Sequence, residues 1–328
     1  MNRALKITII VIVALVAAIA AALAGMLVLG TSDPPAPLAS LGAPFAKVDF
    51  RDLPAVQTLP AGNRSPIAFR VWQPATPAAD PPLVVVAIHG SSAQSASIHP
   101  LGKALAAQGI PVYAPDIRGH GSTGVRGDMD YAAELDDDMA DFTAMVRAKN
   151  PNAKLVLIGF SSGGGYALHV AATPLGRSFA RTVLLSPFLG PFVATVKPDA
   201  KYAAPFIPRI VALVALDRVG VHAFDHLTTL RLAVDPARSD ILIGHYSWLL
   251  MRAFGTRDYA ADIRNAHNPL AVVAGEKDEL FYADKFAPTA DAVRPGIAVA
   301  IVPGLSHTGL IADPSAVPAI TAAIRGTS

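Results

Sequence analysis

The chain has 328 residues, is 52% hydrophobic and only 16% charged, and carries a net charge of +2. That length accommodates one large α/β domain with an insertion, and the near balance of charge gives no electrostatic case for a nucleic-acid partner. With no cysteine, disulfides, thiolate metal sites and a cysteine nucleophile are excluded.

The N-terminus, MNRALKITIIVIVALVAAIAAALAGMLVLG, is uncharged from Ile7 to Gly30. A helix over that run would measure about 36 Å, enough to cross a hydrocarbon core of about 30 Å. Arg3 and Lys6 precede the run and Asp33 is the first charge after it. The positive-inside tendency therefore predicts a cytoplasmic N-terminus and an extracytoplasmic body. Ala22-Leu23-Ala24 before Gly25 resembles a cleavage site, so a signal peptide is the rival expectation, under which the body is secreted. The run exceeds the usual length of about 7–15 residues for a signal's apolar core, which favours an uncleaved anchor over residues 1–30. DPPAPLASLGAP, Asp33 to Pro44, then predicts an extended, semi-rigid spacer within a linker over residues 31–65.

From residue 66 onward strand-like and helix-like patterns alternate. PIAFRVWQP and the branched apolar run LVVVAIHG, Leu83 to Gly90, read as strands, the second buried on both faces. A helix is expected near His99 to Gln108, then the strand IPVYAPD, then a long helix from Tyr131 to Lys149 closed by Asn-Pro. KLVLIGF is a strand, followed by a helix holding Tyr166 to Ala172, and RTVLLSPFL is another strand. The rhythm breaks between Pro187 and Asn268, where apolar, helix-like sequence predicts an inserted helical cap over residues 187–267. Leu270 to Asp278 and Gly296 to Gly304 resume the strands, and a last helix is expected from Pro314 to Ile324. This alternation predicts a mostly parallel sheet with helices on both faces, built from residues 66–186 and 268–328.

Parallel sheets place chemistry at the carboxyl ends of their strands. GFSSG, Gly159 to Gly163, follows KLVLIGF and fits G-x-S-x-G. A serine on a sharp strand-to-helix turn projects its hydroxyl clear of the backbone, flanking glycines avoid Cβ clashes, and the helix N-terminus favours developing negative charge. Ser161 has glycines at both −2 and +2 and is the expected nucleophile. Ser162 follows it, and its backbone N–H is one expected oxyanion donor. The backbone N–H of Ser91, in the loop after LVVVAIHG, is the other. His89 is expected to fix that loop by hydrogen bonding. His307, after the last strand, is the expected base that activates the serine. Asp278 is the expected acid that orients it, with Glu276 and Glu279 as alternatives. The acid run Glu134 to Asp141 reads as a solvated helix face rather than a metal site, and Asp116 to Gly124 as a turn-rich loop bordering the site.

IHGSS, APDIRGHGSTG, GFSSGGG, AGEKDEL and PGLSHTGL, in this order and spacing, resemble the α/β-hydrolase superfamily, and within it the serine aminopeptidase S33, monoacylglycerol lipase and lysophospholipase-like group. The resemblance covers residues 66–324. It implies an α/β-hydrolase fold with a cap inserted after the strand ending near Ser186. It also implies a Ser161–Asp278–His307 triad with oxyanion donors at Ser91 and Ser162, and neither metal nor organic cofactor. It departs from lipase-like members at Phe160 and Ser162, where those often carry His and Met. The function expected is a membrane-anchored serine hydrolase of carboxylic esters, thioesters or related acyl bonds, with apolar or lipid-like substrates. An aminopeptidase-like activity, which would need a cap carboxylate to hold the substrate amine, is the alternative. A non-catalytic, membrane-tethered binding domain is the reading of another class.

Overall fold

A computed structural model of the chain describes residues 3–29, 31–76 and 82–327. Met1, Asn2 and Gly30 of the expected anchor lie outside the described residues. Eight strands form the main sheet: β1 Gln57–Ala61, β2 Arg64–Trp72, β3 Leu83–Ile88, β4 Val112–Pro115, β5 Lys154–Phe160, β6 Arg181–Leu185, β10 Leu270–Gly275 and β11 Ala298–Val302, in the spatial order β1-β2-β4-β3-β5-β6-β10-β11. The pairs β1/β2 and β2/β4 are antiparallel, and every pair from β4 to β11 is parallel.

The strand sequences explain how the sheet is buried. In β5, Leu155 and Leu157 face one core while Val156, Ile158 and Phe160 face the other. This is the period-2 alternation of a strand covered on both sides, with each fully buried aliphatic side chain stabilising the fold by about 1.5–3 kcal/mol. The helices Glu134–Lys149 and Ser162–Ala172 supply Met139, Phe142, Val146, Tyr166 and Leu168 to the first core. His99–Ala107 and Val317–Arg325 supply Leu101, Leu105, Ile320 and Ile324 to the second.

Four features differ from the sequence expectation. The sheet begins at Gln57, ahead of the expected boundary at 66, because the polar edge strand QTLPA pairs with β2. The linker does not run free: Leu41 O accepts from Thr308 Oγ1 at 3.0 Å, Pro54 O from Arg70 Nε at 3.1 Å, and Phe45 and Leu53 pack against the second core. The insertion is not wholly helical. Besides the helices Ile207–Asp217, Trp248–Ala253 and Tyr259–Asn265 it holds a second, antiparallel sheet of β7 Ala203–Pro205, β8 Thr228–Leu232 and β9 His245–Ser247. The acid run is a solvated face only in part: Asp137 and Asp141 are exposed, but Glu134 and Asp138 are buried. Asp138 takes two 2.8 Å hydrogen bonds from Arg118, whose Nε also lies 3.2 Å from Glu134 Oε1.

The N-terminal helix, Arg3–Leu29, is long and apolar enough to cross a membrane, with a mean hydropathy of 3.0 over its most apolar window, none of which is buried.

On the helix Ser162–Ala172, His169 sits between Asp136 at 3.6 Å and Asp262 at 3.8 Å. Interaction with those two carboxylates, Asp136 foremost, raises its pKa to about 9 against the penalty of burial. A histidine whose folded pKa is raised contributes stability in full below its ordinary value, near 6.5, and loses it as pH rises through about 9. His169→Leu should therefore lower the melting temperature most at pH 6, and the deficit should close by about pH 10, as measured by thermal unfolding across that range.

Candidate active site

Ser161 stands between β5 and the helix Ser162–Ala172 with φ 56° and ψ −120°. A non-glycine residue in this sparsely populated region costs about 1–3 kcal/mol and persists only where its surroundings hold it. Here they do. Ser161 N donates to Leu185 O at 2.9 Å, and Ser161 O accepts from Gly164 N, Gly165 N and Phe188 N at 2.9–3.1 Å. The two flanking glycines are demanded by space: a Cβ on Gly159 would lie 2.1 Å from Gly163 O, and one on Gly163 2.1 Å from His89 O. Strand, helix and the loop after β3 thus meet at backbone contact distance around the serine.

His307 and Asp278 lie in the loops after β11 and β10. His307 Nδ1 is 2.8 Å from Asp278 Oδ2, the histidine donating if the ring carries its proton there. Oδ1 of the same carboxylate accepts from Leu280 N at 2.9 Å and Phe281 N at 3.0 Å. Burial works to raise the Asp278 pKa, but the charge and hydrogen bond of His307 and the backbone N–H of Leu280 outweigh it, and the net effect is below the ordinary carboxylate value. The imidazole packs against Phe160, the residue before Ser161, with ring centroids 4.7 Å apart and planes tilted by 36°, and meets Phe281 edge-on at 5.2 Å. Among the described residues no hydrogen bond joins Ser161 Oγ to His307. Glu276 and Glu279 are engaged elsewhere: their carboxylates accept from Gly304 N and His307 N, each at 2.8 Å.

The hydroxyls of Ser91 and Ser162 are hydrogen-bonded to each other, which ties the loop after β3 to the start of the helix after β5. His89 is buried and neutral, its pKa lowered by desolvation. Its Nδ1 lies 2.8 Å from Gly90 O, and its Nε2 accepts from Ile117 N at 3.1 Å. The expected loop-fixing bonds are therefore present. The Asp116–Gly124 loop is likewise held by its own carboxylate, since Asp116 accepts from Ser95 N at 2.8 Å and Ser122 N at 3.0 Å.

Sequence reasoning missed the residues through which the insertion grips this site. Tyr246 Oη accepts from Ser92 N at 2.8 Å and lies 2.7 Å from His120 Nε2. His120 is buried and its pKa lies well below the ordinary value, chiefly through desolvation. Tyr202 Oη lies 3.1 Å from Ser92 Oγ, and Ser92 itself has φ 64°. On the opposite side Lys197 Nζ donates to Asp278 O at 2.5 Å. These contacts pair residues 110 or more positions apart on one side and 81 on the other, with no local pattern to mark them. With the insertion seated, Ser161 is 6% exposed, His307 2% and Asp278 0%.

The architecture and the strand-to-helix serine turn define an α/β-hydrolase fold. Solved structures agree. A soluble variant of monoglyceride lipase from Saccharomyces cerevisiae, in complex with a substrate analogue, superposes with a TM-score of 0.63 at 16% identity, over 85% of this chain and 97% of that one. A putative aryl esterase from Burkholderia cenocepacia gives 0.56 at 20%, over 83% and 98%. Residues 79–314 match the model of the serine aminopeptidase S33 family, and the chain belongs to that family of hydrolases. A monoacylglycerol lipase from Mycolicibacterium smegmatis is 30% identical over 151 residues, 43% of this chain and 52% of the relative. An uncharacterized abhydrolase domain-containing protein of Dictyostelium discoideum is 29% identical over 42% of this chain and 14% of its own length. The match thus spans about half of the first relative and far less of the second.

Replacing Tyr246 by Phe leaves Ser92 N–H and His120 Nε2 buried without a partner, at a cost of about 1–3 kcal/mol. Tyr246→Phe should lower the denaturant midpoint by that equivalent, whereas Tyr282→Phe, at an exposed tyrosine, should leave it unchanged.

Proposed function

We propose that this chain is a serine hydrolase that cleaves carboxylic esters or related acyl bonds of apolar, lipid-like substrates, held at a membrane by its N-terminal helix. The 2.8 Å bond between His307 Nδ1 and Asp278 Oδ2, at the mouth of the strained Ser161 turn, carries this reading. Asp278 fixes the tautomer that leaves His307 Nε2 free to accept a proton. Ser161 Oγ attacks the substrate carbonyl as His307 takes its proton. The backbone N–H groups of Ser91 and Ser162 hold the developing oxyanion. The imidazolium then protonates the leaving alcohol, and water attacks the acyl-enzyme by the same route to release the acid. The low exposure of all three residues means that substrate enters only when the insertion, acting as a cap, shifts. Phe160 and Phe281 against the histidine, with Phe188 packed on Phe281, favour an apolar acyl group.

Esters are favoured over amino-terminal peptides by the fate of the insertion's acids. Asp217 pairs with Arg252 and Asp225 with His222; Asp235 and Asp258 cap helical turns; Asp262 accepts from Thr256; Asp199 and Asp240 are exposed. Among the described residues only Asp225 keeps a buried oxygen, Oδ1, without a partner, and its Oδ2 is held 3.1 Å from His222 Nδ1, so no acid of the insertion is wholly unengaged and buried. The order of charges around the N-terminal helix supports an extracytoplasmic body.

Hydrolysis of p-nitrophenyl esters of increasing chain length tests the reading. Ser161→Ala and His307→Ala should each lower kcat by at least about 10³-fold, and Asp278→Asn by roughly 10³–10⁴-fold, with KM little changed. Equal rates for wild type and Ser161→Ala would overturn it.

A further inference from the structure

The last turns of the N-terminal helix are docked on the insertion. Leu27 is buried with Ala212, Leu213 and Trp248, with Leu23 and Met26 packed around them. Arg209, itself buried, donates from Nε to Leu27 O at 2.7 Å and from Nη1 to Thr228 O at 2.6 Å. A guanidinium thus caps a carbonyl at the C-terminal end of the apolar helix, where cations are favoured. It ties that carbonyl to β8.

Upstream of this joint every residue from Arg3 to Ala22 is exposed. Those residues, at 1.5 Å each, extend about 30 Å from the body, the thickness of a hydrocarbon core. The body therefore meets the bilayer where the helix Ile207–Asp217 lies. The outward stripe of that helix carries Ile207, Val211 and Val214, 56%, 51% and 36% exposed, at the three- and four-residue spacing of one helix face. The stripe ends at exposed Arg218. The next loop adds Val219, 73% exposed, and Phe224, 41%. A water-facing stripe at these positions would be polar.

We propose that the helix Ile207–Asp217 and the Val219–Phe224 loop are seated in the bilayer interface beside the N-terminal helix, so that the cap faces the membrane and acyl substrate reaches the site from the lipid phase. This rests on the anchored-hydrolase reading above and names the phase that delivers its substrate. The occupant of the apolar stripe is lipid because the stripe continues the surface of a helix whose most apolar window is wholly unburied by protein. Arg209 is the joint that transmits the anchor's position to the cap.

The test uses the full chain in phosphatidylcholine–phosphatidylglycerol vesicles containing nitroxide-labelled lipid. The absence of native cysteine lets one introduced thiol carry one fluorophore. Val211→Cys and Val219→Cys should be quenched, as Val13→Cys in the anchor is, while Lys154→Cys, at the opposite end of β5, should not. Quenching at 13 alone, or at none of the four positions, would overturn the proposal. Independently, Val211→Asp with Val219→Asp should slow hydrolysis of a long-chain acyl ester embedded in vesicles by about tenfold. Hydrolysis of a water-soluble short-chain ester should be unchanged. Equal slowing of both would also count against it. Failure of the wild type to hydrolyse either ester would refute the hydrolase reading while leaving the quenching pattern to decide the membrane seat.

Discussion

The structure depends on one crowded junction, where β5 turns into the helix Ser162–Ala172. Gly159, Gly163 and His89 approach so closely that no side-chain carbon fits between them, and the resulting turn forces Ser161 to φ 56°. Fixing the serine there also fixes its neighbours. The helix N-terminus is aimed at the same point, and the loop after β3 is pulled into contact with it. The strain is local and small against the burial that supports it, since β5 is the centre of a sheet covered on both faces.

Around that junction the insertion supplies two clamps. One runs through Tyr246 and Tyr202 to the loop that holds Ser91, and the other through Lys197 to the backbone of Asp278. Both sit on loops that the proposed acyl transfer uses. With the insertion in place both loops are held, and Ser161, Asp278 and His307 are each 6% exposed or less. The buried histidines His89 and His120 stay neutral under this cover, which lets each accept a hydrogen bond at Nε2.

Much of the fold was legible because parallel strands are continuous apolar runs. LVVVAI, KLVLIGF and LAVVAG announce themselves, and the serine turn, Asp278 and His307 follow such runs directly. What was missed has physical causes. QTLPA is an edge strand, half polar, and has no such run to announce it. TTLRL and HYS in the insertion are too short for a period to register. The acids at Glu134 and Asp138 looked solvated because their partner, Arg118, lies in a separate loop. The Pro-rich linker reads as a spacer by composition, which says nothing of the surface it lies on. Burial of Ser161 and the grip of Tyr246 are long-range facts with no local signature.

The central claim is that Ser161 is an activated nucleophile, with His307 as its base. The most direct test is to treat the full chain with a fluorophosphonate and map the adduct by peptide mass spectrometry. The account predicts one phosphonyl group per chain, on the peptide containing Ser161, and its loss in His307→Ala. A folded wild-type chain that takes up no phosphonate, or carries it on another serine, would contradict the account.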